Sequence, residues 1–369
     1  MAEPPAGGPA ILRRAPAWAA VAVAVVLVGA ACGRLGVPSS YLFSALVVGL
    51  VVALARPGAL AVDPRVFTCA QAGMGVVLGT YLDSGQLGAL QHTWLPVLLV
   101  SLATLALTIA AGLVLARVTG VDPATASLGM VAGGASGIVA MAGELGGDDR
   151  LVAFMQYLRV LVIVVLTPVI VSLAFGGTAE GAVDPSTAEP VLGTPLGWVF
   201  TLVVAAAGVA AGSRLRIPAG SLLVPLVVAG AVSLSGVMPG ATVPPLLRET
   251  AFALIGLQVG LRFTPATLRT AGRLILPVVA SILALVAACF GLAWLLSLTT
   301  DVSLLDGYLA TTPGGLYAVL ATAFGVRADT TFVLAVQALR LFVMLLAAPP
   351  IVRWIVVRNV GAPDRLVSP

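Results

Sequence analysis

The chain has 369 residues, of which 60% are hydrophobic and only 9% are Asp, Glu, Lys or Arg. A soluble domain carries about 25% charged residues, so this composition excludes a water-covered globular protein and indicates a lipid environment. The net charge is +4, and lysine is absent, so the basic side chains are arginines. These arginines are scattered without the stripe of a nucleic-acid-binding face, and we predict no direct contact with nucleic acid.

Apolar runs follow one another along the whole chain, and most approach the roughly 20 residues that a helix needs to cross a bilayer. The first half contains Ala17–Cys32, Ser39–Ala55, Val66–Leu82, Trp94–Val118, Pro123–Leu145 and Leu151–Phe175. The second half contains Leu196–Gly212, Ser221–Val237, Thr250–Leu261, Leu274–Leu298, Gly307–Gly325 and Thr331–Val357. The sequence therefore predicts an all-α integral membrane protein.

The second half repeats the first. Residues that apolar sequences do not match by chance recur 181 positions later: Gly75 and Gly256, Gly79 and Gly260, Pro96 and Pro277, Gln156 and Gln337, Arg159 and Arg340. An internal repeat of this length predicts two copies of one structural unit. We place the membrane units at residues 17–175 and 196–358, with an acidic outer linker at 176–195 and tails at 1–16 and 359–369.

The arginines favour inverted over parallel units. Six crossings per unit would divide the loop arginines evenly between the two sides. If instead each Gly-rich fifth segment enters the membrane as a re-entrant or broken hairpin, each unit crosses about five times and the second unit is inverted. The loop arginines then lie in the cytoplasm except for Arg34, Arg248 and Arg327, as the positive-inside rule requires. This topology predicts that both termini lie in the cytoplasm.

Each predicted hairpin carries a pair of glycines that free the backbone to turn. The residues at the two tips are Gly133, Gly134 and Ser136 in the first unit, and Thr311, Thr312, Pro313, Gly314 and Gly315 in the second. In inverted-repeat transporters such broken elements line the substrate site near the membrane midplane. We predict substrate binding by their amides and hydroxyls; the alternative is close helix packing through small residues.

Each hairpin is followed by a Gln and an Arg three residues apart, which share one helix face. These are Gln156 with Arg159 and Gln337 with Arg340. Arg159 lies about 13 Å along the helix from Arg150, a depth at which an arginine needs a partner or a watery cavity. The functional interpretation is a ligand for an anionic substrate. The alternative is an internal ion pair or a bond to hairpin carbonyls.

Acidic residues follow the hairpins and are candidates for binding a coupling ion: Glu144, Asp148 and Asp329. The alternative is a solvated helix start, where negative charge suits the helix dipole. The sequence contains no Ser/His/Asp arrangement, no metal-ligand cluster and no phosphate-binding loop, so we predict neither an enzyme nor a cofactor.

The repeated motif resembles that of the bacterial AbrB-type membrane proteins. The resemblance is carried by Gly133–Gly137, Gly146–Ala153 and Gln156–Arg159, and again by Thr312–Leu316 and Gln337–Arg340. It covers about Trp18 to Arg358 and implies a duplicated membrane domain in the bacterial inner membrane. Members of the family are labelled regulators of gene expression or ammonia monooxygenases. Some carry an acidic residue after the second glycine pair, where this chain has Leu316, Tyr317 and Ala318.

The leading functional prediction is a secondary transporter of a small, anionic solute, with the lipid bilayer and the solute as partners. The alternative is a membrane-embedded regulator that affects gene expression indirectly, as the family label implies. The sequence leaves a homo-oligomer open.

Overall fold

The computed structural model describes residues 9–34, 40–82, 84–132, 135–175, 190–215, 220–238, 242–263, 265–314, 319–320, 322–323, 326 and 328–360. The first half forms α1 (Pro9–Arg34), α2 (Ser40–Ala55), α3 (Pro64–Thr80), α4 (Ser84–Thr119), α5 (Pro123–Met130), α6 (Ala135–Ala142), a 3-10 turn (Gly143–Leu145) and α7 (Asp149–Phe175). The second half forms α8 (Pro195–Leu215), α9 (Gly220–Ser235), α10 (Pro245–Gly260), α11 (Pro265–Thr299), α12 (Leu304–Thr311) and α13 (Thr330–Val360).

Six of the described helices are long and apolar enough to cross a membrane: α1, α4, α7, α8, α11 and α13. Two shorter apolar helices, α2 and α9, have 16 residues each. The described residues contain no β-strand. The prediction of an all-α, polytopic membrane protein is therefore confirmed.

Helix starts are fixed by local capping chemistry. Asp63 accepts a hydrogen bond from Arg65 N ahead of α3, and Asp122 accepts one from Thr125 N ahead of α5. Ser303 does the same for Asp306 N at the start of α12. These side chains satisfy amides that the first turn leaves without partners. Several helices begin before the predicted runs: α4 starts at Ser84, α11 starts at Pro265, and α1 starts at Pro9 within the predicted tail, where Ala, Leu and Arg favour helix.

The glycine-rich segments are hairpins that return to the end from which they started. α5 has eight residues, a length of about 12 Å, and ends at Met130. The chain returns beside its first turn, where Asp148 N donates to Thr125 Oγ1 at 2.7 Å. The second segment also returns to its starting end, because Asp329 N donates to Asp306 Oδ1 in the first turn of α12 at 2.7 Å.

Four helices pack in two pairs through glycines, which allow the backbones of each pair to touch. A Cβ added to any of these glycines would overlap a carbonyl oxygen across the helix pair: Gly75 with Leu222, Gly79 with Leu226, Gly256 with Leu42 and Gly260 with Leu46. Small residues allow such close approach in membranes. The residue numbers rise together within each pair, so α3 runs parallel to α9 and α2 runs parallel to α10.

The helices separate into two bundles. The frame bundle consists of α1–α3 and α8–α10, and the hairpin bundle consists of α4–α7 and α11–α13. Each extensive helix contact of the described residues lies within one bundle, and between the bundles only α7 packs appreciably, against α2 and α10. At this junction the rings of Phe154 and Phe263 meet edge to face at 6.4 Å, and Thr331 Oγ1 donates to Tyr81 O at 2.9 Å.

Candidate functional site

Gln156 and Arg159 lie one turn apart on α7 and are 0% and 2% exposed. Gln156 Nε2 donates to Leu128 O at 2.7 Å and to Val131 O at 2.8 Å. Arg159 Nη1 donates to Met130 O at 3.0 Å, and its Nη2 donates to Gln156 Oε1 at 2.8 Å. The two side chains thus bind the carbonyls at the end of α5, which a helix end otherwise leaves without partners.

Gln337 and Arg340 on α13 make equivalent bonds at the end of α12 and are 1% and 3% exposed. Gln337 Nε2 donates to Leu309 O at 2.8 Å and to Thr312 O at 3.3 Å. Arg340 Nη1 donates to Thr311 O at 3.1 Å and to Thr312 O at 2.6 Å, and its Nη2 donates to Gln337 Oε1. Each residue of this network lies 181 residues after its counterpart in the first half. The bond from Arg340 Nη1 to Thr312 O has no counterpart among the bonds of Arg159.

Both arginines therefore brace a hairpin against the helix that follows it. Carbonyls at a helix C-terminus carry partial negative charge, which suits a buried cation. Neither guanidinium forms a salt bridge with a described carboxylate. Of the alternatives that the sequence left open, the structure shows the bond to hairpin carbonyls.

One nitrogen of each arginine makes no hydrogen bond within the described part of the chain. Arg159 Nε and Arg340 Nε are buried and have no hydrogen-bond partner among the described residues. A buried N–H without a partner is costly, so these two donors mark a place where a ligand would be stabilised.

The second tip meets the helix that carries the first arginine. A Cβ on Gly314 would lie 2.8 Å from Ile163 Cγ2, one turn beyond Arg159 on α7. Gly314 O also accepts from Arg340 Nη2 at 3.4 Å. On the other side α13 packs against α5 and α6 in one apolar cluster. The structure thus brings Gly314, Arg159 and Arg340 to one region of the hairpin bundle.

The hydroxyl groups of the two threonines at the second tip donate hydrogen bonds to backbone carbonyls. Thr311 Oγ1 donates to Cys289 O at 3.1 Å, and Thr312 Oγ1 donates to Tyr308 O at 2.6 Å. Pro313 and Gly314 are buried beside them. The remaining predicted tip residues are Gly133, Gly134 and Gly315, which lie outside the described residues, and Ser136, whose backbone belongs to α6 and whose side chain lies outside the described part.

The predicted coupling-ion residues lie at helix starts. Asp148 Oδ1 accepts from Arg150 N at 2.9 Å and from Leu151 N at 3.1 Å at the start of α7. Asp329 Oδ1 accepts from Phe332 N at 2.9 Å at the start of α13. Glu144 belongs to the 3-10 turn, and its side chain lies outside the described residues. These positions are three turns or more from the arginines on the same helices, so a coupling role stays a prediction.

An aromatic cluster beside the second hairpin was missed by sequence reasoning. Tyr308 stacks on Phe175 at 6.1 Å and meets Phe290 at 5.7 Å. The three rings come from α12, α7 and α11, and no local sequence signal connects them. The equivalent of Tyr308 in the first half is Ser127, so the two hairpins are packed differently.

A cavity of about 490 Å³ lies in the frame bundle, between α1, α2 and α10. Its lining is apolar apart from a few groups such as Glu249, and it contains none of the hairpin or Gln/Arg residues. Within the described residues no group of three His, Cys, Asp or Glu side chains is arranged to hold a metal ion. The hairpin tips are therefore the better candidate for a polar solute.

The helices and the buried, braced hairpins define a polytopic helical membrane protein with a polar site inside one bundle. The chain belongs to the AbrB family, because the family model described as "Transition state regulatory protein AbrB" matches residues 41–356. The resemblance seen in the sequence is thereby confirmed.

Two relatives are similar over almost their whole length. A protein of Escherichia coli (strain K12) named "Putative regulator AbrB" is 34% identical over 92% of this chain and 96% of its own. A protein of Bacillus subtilis (strain 168) named "Uncharacterized protein YhjN" is 28% identical over 86% of this chain and 88% of its own. The first name carries a regulatory label, and neither name describes an enzymatic activity.

Proposed function

We propose that the protein is a secondary transporter of a small solute in the bacterial inner membrane, built from two inverted repeats. Each repeat would cross five times and contribute one re-entrant hairpin, and both termini would lie in the cytoplasm. α5 is about 12 Å long, less than half of the roughly 30 Å hydrocarbon core, so a hairpin entering from the surface ends near the midplane. Transporter sites commonly lie there.

The direction of the packed helices supports inversion. In parallel units α9 would run in the direction of α2 and opposite to α3, whereas in inverted units it runs in the direction of α3. The glycine contacts pair α3 with α9, and α2 with α10, in parallel. The bond from Thr331 to Tyr81 also joins the start of α13 to the end of α3, which inversion places on the same membrane face.

The observation that carries the proposal is the separation of the hairpins from the frame. Both hairpins and both Gln/Arg pairs belong to one bundle, which is held together by buried hydrogen bonds. The frame is held together by glycine contacts, and among the described residues few helix contacts join the two bundles, chiefly those of α7 with α2 and α10. Rocking of one bundle against another around a fixed site is a common route to alternating access.

Reconstituted protein provides the test. Proteoliposomes are assayed for uptake of labelled acetate, pyruvate, glutamate, choline and glucose in a background without native cysteines. The double variant Tyr81→Cys/Thr331→Cys, joined by a short thiol cross-linker, should abolish the flux found for the uncross-linked protein because it ties the bundles together. The control is Gln71→Cys/Ser221→Cys, a pair within the frame whose cross-linking should leave flux intact. No flux of any solute contradicts the proposal.

The second candidate is a membrane-embedded regulator, favoured by the name of the Escherichia coli relative. Such a protein would bind the solute at the hairpin tips without moving it and would act on gene expression through another component. Solute binding without flux, together with changed transcripts on deletion, would support this function over transport.

A further inference from the structure

We propose that a small monocarboxylate binds inside the hairpin bundle, held by the Nε–H groups of Arg159 and Arg340, and that its charge balances the two buried arginines. This names the solute class of the transporter proposed above and, as a transport substrate, rests on that proposal. The binding itself rests only on the geometry of the hairpin bundle.

The charge of the region is the first argument. Arg159 and Arg340 bring two positive charges into a space where they are 2% and 3% exposed. The C-terminal ends of α5 and α12 offset them by roughly half a charge each. No described carboxylate forms a salt bridge with either arginine. About one positive charge is therefore left, which a monovalent anion would neutralise and a divalent one would exceed.

The open donors are the second argument. The two Nη atoms of Arg340 already donate to Thr311 O, Thr312 O, Gly314 O and Gln337 Oε1, so its Nε–H is the donor that remains. Arg159 Nε is also without a partner in the described part of the chain. A ligand with one charge and two acceptor oxygens fits the Nε–H groups of two separate guanidinium groups. A carboxylate has that composition, and hydrogen bonds between charged groups are the strong ones.

The glutamines provide a way to test the charge balance. Gln337 Oε1 is the acceptor for Arg340 Nη2, and Gln156 Oε1 is the acceptor for Arg159 Nη2. Gln337→Glu or Gln156→Glu would place a carboxylate of nearly the same shape against an arginine, and would remove the two bonds that each glutamine amide donates to hairpin carbonyls. The internal charge should then remove the need for the external anion.

The experiment measures thermal unfolding of the purified full chain in detergent with sodium acetate or sodium pyruvate, against sodium chloride and sodium sulfate at equal ionic strength. We expect the carboxylates alone to raise the Tm in a saturable way, by about 2–5 °C, since a ligand that binds only the native state stabilises it. The shift should be lost in Gln337→Glu and in Gln156→Glu. It should persist in Gln71→Glu, which adds the same charge in the frame bundle.

Several results would overturn the inference. The inference is wrong if chloride or sulfate stabilises the protein as much as acetate does, or if neither carboxylate raises the Tm. It is also wrong if both Gln→Glu variants fold and still show the full Tm shift. Flux measurements separate this inference from the proposed function. Carboxylate binding without flux rejects transport and leaves the site, whereas flux of choline or glucose without a carboxylate shift rejects the site and leaves transport.

Discussion

Arg340 Nη1 on α13 donates to Thr312 O at 2.6 Å, joining a transmembrane helix to the tip of the hairpin that precedes it by 28 residues. The same Nη1 also donates to Thr311 O at 3.1 Å, and Arg159 makes the equivalent of that second contact in the first half, with Met130 O at 3.0 Å. Non-helical backbone in a membrane must find its hydrogen bonds within the protein, since lipid offers none. The arginines therefore have a structural role whatever else they bind, and stability measurements can isolate it.

Arg340→Leu should lower the stability of the protein by about 1–3 kcal/mol, because it leaves buried carbonyls at the end of α12 without donors. Thermal unfolding in detergent measures the change. The matched control is Arg353→Leu on the same helix, where the arginine is exposed. Equal melting temperatures for the two variants would show that Arg340 does not brace the hairpin.

Gly256→Ala should destabilise the frame bundle by about 1–3 kcal/mol, because the added methyl group overlaps Leu42 O and forces α10 away from α2. Gly291→Ala is the control, since a Cβ there meets nothing within 4 Å. This control should gain up to about 1 kcal/mol from the better helix propensity of alanine. A stable, active Gly256→Ala protein would contradict the close packing of these helices.

Asp148→Ala should cost about 1 kcal/mol, because the carboxylate caps α7 through the amides of Arg150 and Leu151. Asp148→Asn should retain most of that stability, since its amide oxygen can still accept these bonds. The pair of variants separates capping from ion coupling. If the charge of Asp148 binds a coupling ion, Asp148→Asn loses ion-dependent flux although its melting temperature is preserved.

The equivalent loops of the two halves should lie on opposite membrane faces. Ala61 precedes α3 and is exposed, and Val237 precedes α10 and is 75% exposed. In a cysteine-free background, Ala61→Cys should react with an impermeant thiol reagent only from the cytoplasmic side, and Val237→Cys only from the outer side. Labelling of both from one face would reject inverted repeats and with them the proposed topology.

Much of the site could be read from sequence because its residues repeat. Gln156 and Arg159 attract notice as polar side chains deep in an apolar run, and Gln337 with Arg340 repeats the pattern at the same spacing. Their partners were not predictable in the same way. Backbone carbonyls carry no sequence signature, so the bonds to Met130, and those to Thr312, appear only once the hairpin is folded.

The aromatic contact between Tyr308 and Phe175 shows the opposite case, in which composition gives no hint of a cluster. The two residues lie in different halves and are joined only by the packing of α12 on α7. The coupling-ion prediction has the same weakness, because an aspartate that follows a hairpin can equally cap a helix or bind an ion.

The sequence by itself determined that the chain is a helical membrane protein, because lipid selects long apolar helices, and it predicted two related halves, because Gly, Pro, Gln and Arg recur at one offset. Only the tertiary structure decided that Arg159 and Arg340 bind hairpin carbonyls, that their Nε groups stay open, and that hairpins and frame form separate bundles. These features depend on which buried backbone groups come within hydrogen-bond reach, and that distance is set by packing between segments far apart in the chain.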